Sequence, residues 1–184
     1  FGVASFNAAA DFEQLKISFA TLTGSQAAGD SSLAQIQSFA KATPFATEEL
    51  AELSKQLLAY GFTSDEIIPT IDKLGNVAAG VGKDKLPNLV LALGQIRSTG
   101  RLTGQDLNQL VNAGFNPLQE IARTTGESFV SLKDKMGKGL ITFNDVDGAF
   151  KTATSSGGKF FSLLQNQTES AKGALVQMGD SIEA

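Results

Sequence analysis

Two short stretches of the sequence contain residue types that bind ligands in other proteins, but neither has the full spacing of such a site. Residues 80–83, Gly-Val-Gly-Lys, resemble part of a phosphate-binding loop. The hydroxyl residue after the lysine and a buried strand before the loop are both missing, so we interpret the stretch as a linker between helices. Asn144, Asp145 and Asp147 offer oxygen ligands for calcium, but the glycine and the distal glutamate of a calcium loop are absent. We therefore predict neither a cofactor nor a metal ion.

The densest basic group in the sequence is interpreted as a solvated helix face. Its members are Lys133, Lys135, Lys138 and Arg123. The whole chain carries 15 basic and 19 acidic residues, a net charge of −4, whereas nucleic-acid binders neutralise phosphates with a surplus of basic side chains. The short helices predicted around Gly114 could imitate a helix-turn-helix, but Asp106 and Glu120 would repel phosphates there. Specific binding of nucleic acid is therefore not expected.

The sequence lacks the residues on which most enzyme active sites depend. It contains no cysteine and no histidine, which removes thiolate nucleophiles, the commonest general base and the commonest ligand of transition metals. Glutamate pairs such as Glu48-Glu49 are neighbours along a helix and do not face each other across a cleft. We predict that the protein is not an enzyme.

A run of helix ends and helix starts between Leu91 and Leu118 is the densest concentration of structural residues in the chain. Two of its four glycines, Gly100 and Gly114, lie where helices commonly end with a residue at positive φ. A threonine and an aspartate three residues apart have the spacing of a capping box, in which the two residues satisfy each other's backbone N–H groups. An Asn-Pro pair is typical of a cap followed by proline at the first helical position. The predicted turn and cap residues are Gly100, Thr103, Asp106, Gly114, Asn116 and Pro117.

The elements that must position these residues are helices. Apolar residues recur at three- and four-residue spacing along the chain, whereas sustained alternation is absent. We predict an all-α fold, a compact bundle of about eight to eleven short-to-medium helices joined by glycine-rich turns. Residues 140–143 are the one credible strand candidate, and they have no partner. The predicted domains are a helical domain over residues 1–158 and a C-terminal helical extension over 159–184.

Cap residues and prolines predict where some of the helices begin. A first helix over residues 4–22 is followed by a loop rich in glycine, serine and alanine, and Asp30-Ser31-Ser32 is predicted to cap the second helix. In the fourth helix Pro69 predicts either a kink or a start near Ile68, because proline lacks an N–H donor. Leu22 is part of the predicted apolar stripe of the first helix, and Val130, Leu132 and Met136 indicate a short helix that ends at Gly137.

A spacing of 39 residues links three glycines and the helix starts that follow them. The triplets are Gly61, Gly100 and Gly139; Ser64, Thr103 and Thr142; and Ile68, Leu107 and Val146. One interpretation is a weak helical repeat that stacks like a solenoid. The other is that any helix after a glycine uses the same residues at its start.

Several ordered segments of the chain carry a family resemblance. They are residues 11–25, 39–45, 57–61, 67–70, 74–80, 92–106, 113–117, 139–143 and 156–161, and the most specific reads Gly100-Arg-Leu-Thr-Gly-Gln-Asp106 followed by Ala113-Gly-Phe-Asn-Pro117. On these motifs, nearly the whole chain resembles the tape measure domain of tailed-phage or prophage tail length tape measure proteins. The first residue is Phe1 rather than methionine, so we expect a piece of a longer polypeptide.

The resemblance implies a structural protein of the virion that lies in the lumen of the tail tube and is made in the cytoplasm of the bacterial host. It implies roles in tail assembly, in determination of tail length and in genome delivery. The implied partners are tube, tip and tail assembly chaperone proteins and other copies of the same chain, with no small-molecule substrate and no catalytic residue.

A second class of function stays open beside a folded assembly module. A membrane-acting helical segment could contribute to a channel for DNA ejection and contact the membrane during infection. Small residues between Gly75 and Gly82 and the apolar helix from Leu86 to Leu93 support this alternative. No apolar run approaches the roughly 20 residues that cross a bilayer, however.

Overall fold

The computed structural model describes residues 2–171, with side chains from residue 12 onward. Its helices are α1 (Gly2–Thr23), α2 (Gln26–Lys41), α3 (Thr47–Ala59), α4 (Ser64–Val81), α5 (Leu86–Thr99), α6 (Gly104–Asn112), α7 (Pro117–Thr125), α8 (Phe129–Gly137) and α9 (Phe143–Thr154). A 3-10 helix, Lys83–Lys85, precedes α5, and residues 163–171 are helical. The predicted all-α bundle is confirmed: within the described residues there is no strand, only a single β-bridge between Arg101 and Thr142.

Helix α5 forms the centre of the hydrophobic core. Seven of its fourteen residues are buried, and it contacts α3, α4, α6 and α9. Leu89, Leu93 and Ile96 are completely enclosed. Gly94 brings a neighbouring ring against the helix backbone, since a Cβ at this position would lie 2.1 Å from a ring carbon of Tyr60. A methyl group is thus enough to disturb the packing around α5.

The second helix begins earlier than its polar residues predicted, so the cap at Asp30-Ser31-Ser32 is wrong. Ser25 is the N-cap of α2, and its Oγ accepts the N–H of Ala28 at 3.2 Å. The loop between α1 and α2 is consequently only two residues long. Gly29 then lies against α1, where a Cβ would be 2.6 Å from the backbone nitrogen of Ala20. This glycine serves a close helix–helix contact and not the predicted loop.

Helix α4 begins at Ser64 and contains Pro69 within its second turn. The predicted alternative start near Ile68 is therefore wrong. A capping box between Thr63 and Glu66 supplies backbone hydrogen bonds at the first turn. Because proline has no N–H, one carbonyl near the start of the helix loses its helical hydrogen bond. The remaining helical hydrogen bonds are unaffected, and the helix continues through Pro69.

Two of the apolar residues that indicated helices are exposed. Leu22 is 43% exposed and Val130 is 79% exposed. In α8, Ser128 is the N-cap, and the buried stripe runs through Leu132 to the partly buried Met136. Val130 lies two residues before Leu132, on the opposite side of the helix. In a helix of nine residues the apolar spacing allowed more than one inward face.

The predicted C-terminal extension begins with residues that enter the main core. Phe160 is 5% exposed and Leu164 is 2% exposed, and both belong to the same hydrophobic cluster as α4 and α5. The boundary at residue 158 stays a prediction. The apolar residues Leu175 and Met178, assigned to the same extension, lie outside the described residues.

Candidate functional site

Three junctions between helices have the same construction. Each contains a glycine in the left-handed region, with φ of 88° at Gly61, 75° at Gly100 and 71° at Gly139. Each glycine is followed by a threonine N-cap that forms a capping box with an acidic residue three positions later. The boxes are Thr63 with Glu66, Thr103 with Asp106, and Thr142 with Asp145.

The second junction shows how such a turn is satisfied. The N–H of Gly100 donates to the carbonyl of Ile96 at 2.8 Å and closes α5. The Oδ2 atom of Asp106 accepts the N–H of Thr103 at 3.0 Å and its hydroxyl at 2.6 Å. The Oγ1 atom of Thr103 accepts the N–H of Asp106 at 3.3 Å, and Asp106 is itself only 6% exposed. A buried carboxylate is tolerated here because these donors replace water.

The second and third junctions pair with each other through the backbone. The N–H of Leu102 donates to the carbonyl of Ile141 at 2.8 Å, and the N–H of Phe143 donates to the carbonyl of Gly100 at 3.0 Å. These bonds account for the single β-bridge and fix the start of α9 beside the end of α5. Residues separated by about forty positions are thereby held in register.

The guanidinium of Arg97 joins the first junction to the third. Its Cζ lies 4.9 Å from the ring centroid of Phe62 and 4.7 Å from that of Phe143, so that the cation contacts both rings. Its Nη2 donates to Oε2 of Glu66 at 3.0 Å and, more weakly, to the carbonyl of Gly61 at 3.4 Å. We call Arg97 together with residues 61–66, 100–106 and 139–145 the Arg97 cluster.

Charged groups at the edge of the Arg97 cluster are paired. Lys73 of α4 forms an ion pair with Asp147 of α9, and both lie beside a small groove of about 220 Å³ that Glu66 also lines. A hydrogen bond from the Thr63 side chain holds the pKa of Asp65 below its ordinary value. Two of the three carboxylates that line the groove are paired with a cation, Asp147 with Lys73 and Glu66 with Arg97. This arrangement suits a structural contact better than the binding of a charged ligand.

The remaining predicted turn residues lie at the other end of α6, outside the Arg97 cluster. Gly114 has φ 91°, and a Cβ there would be 2.7 Å from Cβ of Val81 at the end of α4. The Oδ1 atom of Asn116 accepts the N–H of Gln119 at 3.2 Å, and Pro117 is the first residue of α7. The six predicted residues thus divide between two places, with Gly100, Thr103 and Asp106 in the Arg97 cluster.

A larger groove of about 600 Å³ opens beside the Gly114 turn. Phe115 and Phe160 form part of its apolar wall, and Glu120 and Arg123 lie on its polar side. The two charged side chains bind each other, with Nη2 of Arg123 2.6 Å from Oε1 of Glu120. This bond raises the pKa of the Arg123 guanidinium. The groove therefore offers a mixed apolar and polar surface on which Glu120 and Arg123 are paired with each other.

Sequence reasoning missed the role of Arg97 and its two aromatic partners. The groups to which Arg97 donates hydrogen bonds also lie far away in the chain: Glu66 is separated from Arg97 by 31 residues and Gly61 by 36. The 39-residue spacing includes residues of all three junctions, but at the first junction it selects Ser64 and Ile68, which lie one position after the cap and the buried residue. Thr63, and not Ser64, is the N-cap of α4, and Ile67 is the buried residue four positions later, at 1% exposure. The stacked solenoid stays a prediction.

The predicted basic surface around Lys135 is largely neutralised. Lys135 donates to Oε2 of Glu127 at 2.7 Å, and Lys138 pairs with Asp134 at 2.6 Å. The bonds from Lys135 and from Ser131 hold the pKa of Glu127 below its ordinary value. In the part of the chain that the structure describes, no group of three acidic residues is arranged to hold a metal ion.

Comparison with known proteins gives one match. A family model described as "Tape measure protein" matches residues 4–184, nearly the whole chain. No curated protein and no solved structure matches it.

Proposed function

Because the chain belongs to the tape measure protein family, a family of phage tail structural proteins, we propose that it forms a compact module used in tail assembly. The proposal separates this module from the measuring rod of the tail. It includes a place in the lumen of the tail tube and contacts with tube, tip and chaperone proteins or with other copies of the chain. Synthesis in the host cytoplasm and a part in genome delivery belong to the same proposal.

The short length of the helices carries this proposal. The longest helix among the described residues has 22 residues and spans about 33 Å at about 1.5 Å per residue. One continuous helix of all 184 residues would span about 280 Å. A folded domain of this size has a radius of gyration of about 16 Å, and hence an extent of roughly 40 Å. As a ruler, the folded chain would use only about a seventh of its possible length.

The Arg97 cluster supports a folded state that persists. Its capping boxes, backbone pairs and cation–ring contacts connect the ends of α3, α5 and α8 to the starts of α4, α6 and α9. A measuring rod needs no such nonlocal connections, because each helical turn satisfies its own backbone groups. A module that must present a defined surface does need them.

An in-frame deletion of this domain from the complete tail protein tests the proposal. We expect the number of tails and the infectivity of particles to fall further than the loss of 184 residues from a ruler predicts. Arg97→Met provides a point variant that weakens the module without shortening the chain, and Arg123→Met, which removes an exposed arginine, is its control. Tails that shorten in proportion to the deletion and stay infectious would contradict the module.

The membrane-acting alternative has less support in the folded domain. Part of the small-residue face of α4 is contacted by the domain's own residues 160–167, with Leu164 against Gly75 and Phe160 beside Gly80. Among the described residues, no helix combines the length and the apolar character that a membrane crossing requires. Leakage of a dye from liposomes on addition of the folded chain would favour the alternative.

A further inference from the structure

Residues 159–171 follow α9 and pack mainly on α4, with Phe160 also bonded through its N–H to the carbonyl of Ala153 and in ring contact with Phe115. We propose that they act as a strap that opens before the rest of the domain unfolds. The strap consists of a short connection and the helical segment 163–171. It follows the exposed loop of residues 155–157, in which Gly157 has φ 83°. The inference concerns the folded chain itself and does not depend on the proposed place in the tail.

The docking site of the strap is built from small and polar residues of α4. The Cδ2 atom of Leu164 would lie 3.0 Å from a Cβ at Gly75, and ring carbons of Phe160 would lie 2.7 and 2.9 Å from a Cβ at Gly80. Asn76 is 7% exposed, and its Oδ1 accepts the N–H of Leu164 at 3.1 Å. That N–H is near the start of a helical segment, where backbone donors lack partners within the helix. Asn76 therefore specifies the docked position.

The strap has few anchors compared with the central helix. Its buried side chains are Phe160, Leu164 and Thr168, within thirteen residues, whereas α5 buries seven of fourteen. Its other side-chain bond to α4 runs from the exposed Gln167 to the carbonyl of Ala79, at 2.7 Å. Segments with few buried apolar contacts open locally at a lower free energy than core helices. The strap is such a segment.

The backbone between the loop and the helical segment also disfavours the docked state. Ser162 has φ 53° and is the one residue other than glycine with positive φ among those described. A side chain in the left-handed region costs free energy, and the open strap is released from it. Release uncovers Gly75 and Asn76, which are buried in the docked state, while α1 to α9 keep their mutual contacts. A pull on the chain from its C-terminal side would reach the strap before it reaches α9.

Thiol labelling of the 184-residue chain tests this order of opening, because the sequence has no cysteine of its own. Thr168→Cys places a thiol under the strap, and Ser54→Cys places the control thiol at a fully buried position in α3. Without denaturant, we expect the thiol at position 168 to react at least about 100-fold faster than the one at position 54. Adding Asn76→Ala should accelerate labelling at position 168 at least several-fold without denaturant, because the bond to the N–H of Leu164 is lost only in the docked state.

Equal labelling rates at the two positions, with the same dependence on denaturant, would overturn the strap. So would an unchanged labelling rate at position 168 on adding Asn76→Ala, because Asn76 would then not hold the segment in its docked position. Amide hydrogen exchange of the unsubstituted chain supplies the comparison without any cysteine. The amide of Leu164 should exchange by an opening that denaturant barely affects, while that of Leu93 should follow global unfolding; identical behaviour of the two would also contradict the proposal.

Discussion

Replacing Arg97 with methionine should destabilise the domain more than any other loss of a single arginine contact described above. Methionine keeps the apolar part of the side chain, so the change removes mainly the charge and its contacts. The lost partners are the carboxylate of Glu66 and the rings of Phe62 and Phe143. Because these three belong to two different junctions, the loss affects the whole Arg97 cluster.

The expected size follows from the exposure of the groups. The side chains of Arg97 and Glu66 are 27% and 35% exposed, so their ion pair contributes about 1 kcal/mol after solvent screening. Each cation–ring contact adds about 0.5 to 1 kcal/mol. The free energy of unfolding should therefore fall by about 2 to 3 kcal/mol. For a chain of this size, that corresponds to a decrease in melting temperature of about 4 to 12 °C.

Urea unfolding followed by circular dichroism measures this change, and a double-mutant cycle with Glu66→Gln separates the ion pair from the ring contacts. Arg123→Met is the matched control, since Arg123 pairs with Glu120 by the same chemistry but lies 55% exposed. The control should lose much less stability than Arg97→Met. Equal losses in the two variants would refute the assignment of Arg97 as the connection between the junctions.

Three further substitutions test the crowding at Gly114 and the ion pair of Glu127. Gly114→Val should lower the free energy of unfolding by about 2 to 5 kcal/mol, because its φ of 91° is costly for a side chain and Val81 occupies the space of the Cβ. Gly100→Ala is the control, because Gly100 has positive φ but no neighbour within 4 Å; it should lower the free energy of unfolding by only about 1 to 2 kcal/mol, the backbone part. An unchanged melting temperature for Gly114→Val would contradict the crowding. Glu127→Gln should destabilise the domain near neutral pH. The pKa of Glu127 is lower in the folded chain than in the unfolded chain, so its carboxylate stabilises the fold at pH values above the unfolded-state pKa. This stabilisation is lost as the pH falls through the folded-state pKa. In urea unfolding at several pH values, a difference from the unsubstituted chain that stayed constant down to pH 3 would exclude the contribution of the bond to Lys135.

Local features of the fold could be predicted from the sequence because their causes are local. The helical class follows from apolar residues at three- and four-residue spacing, and Thr63 with Glu66 has the spacing of a capping box that α4 uses. The predicted helix start was wrong where more than one residue could act as the N-cap. Asp30-Ser31-Ser32 resembles a cap as much as Ser25 does, and only the approach of α1 to Gly29 explains why the helix already covers these residues.

The connections between elements could not be predicted, because they depend on how the helices pack. The small residues of α4 indicated that some segment could come close, but not that Leu164 and Phe160 would do so. The contact of Arg97 with Phe62 and Phe143 likewise needs three separate junctions in position. No spacing within a single stretch of sequence specifies such a meeting point.

The length of tails that carry a second copy of residues 4–171 tests the central claim most directly. Tandem duplication retains a working module, so tails should still assemble and can be measured by electron microscopy. A compact module should lengthen the tail by no more than roughly 40 Å, whereas 168 additional residues of continuous helix would add about 250 Å. A shift of the length distribution by no more than the smaller value is the predicted result. A shift near 250 Å would show that this chain measures the tail as an extended rod.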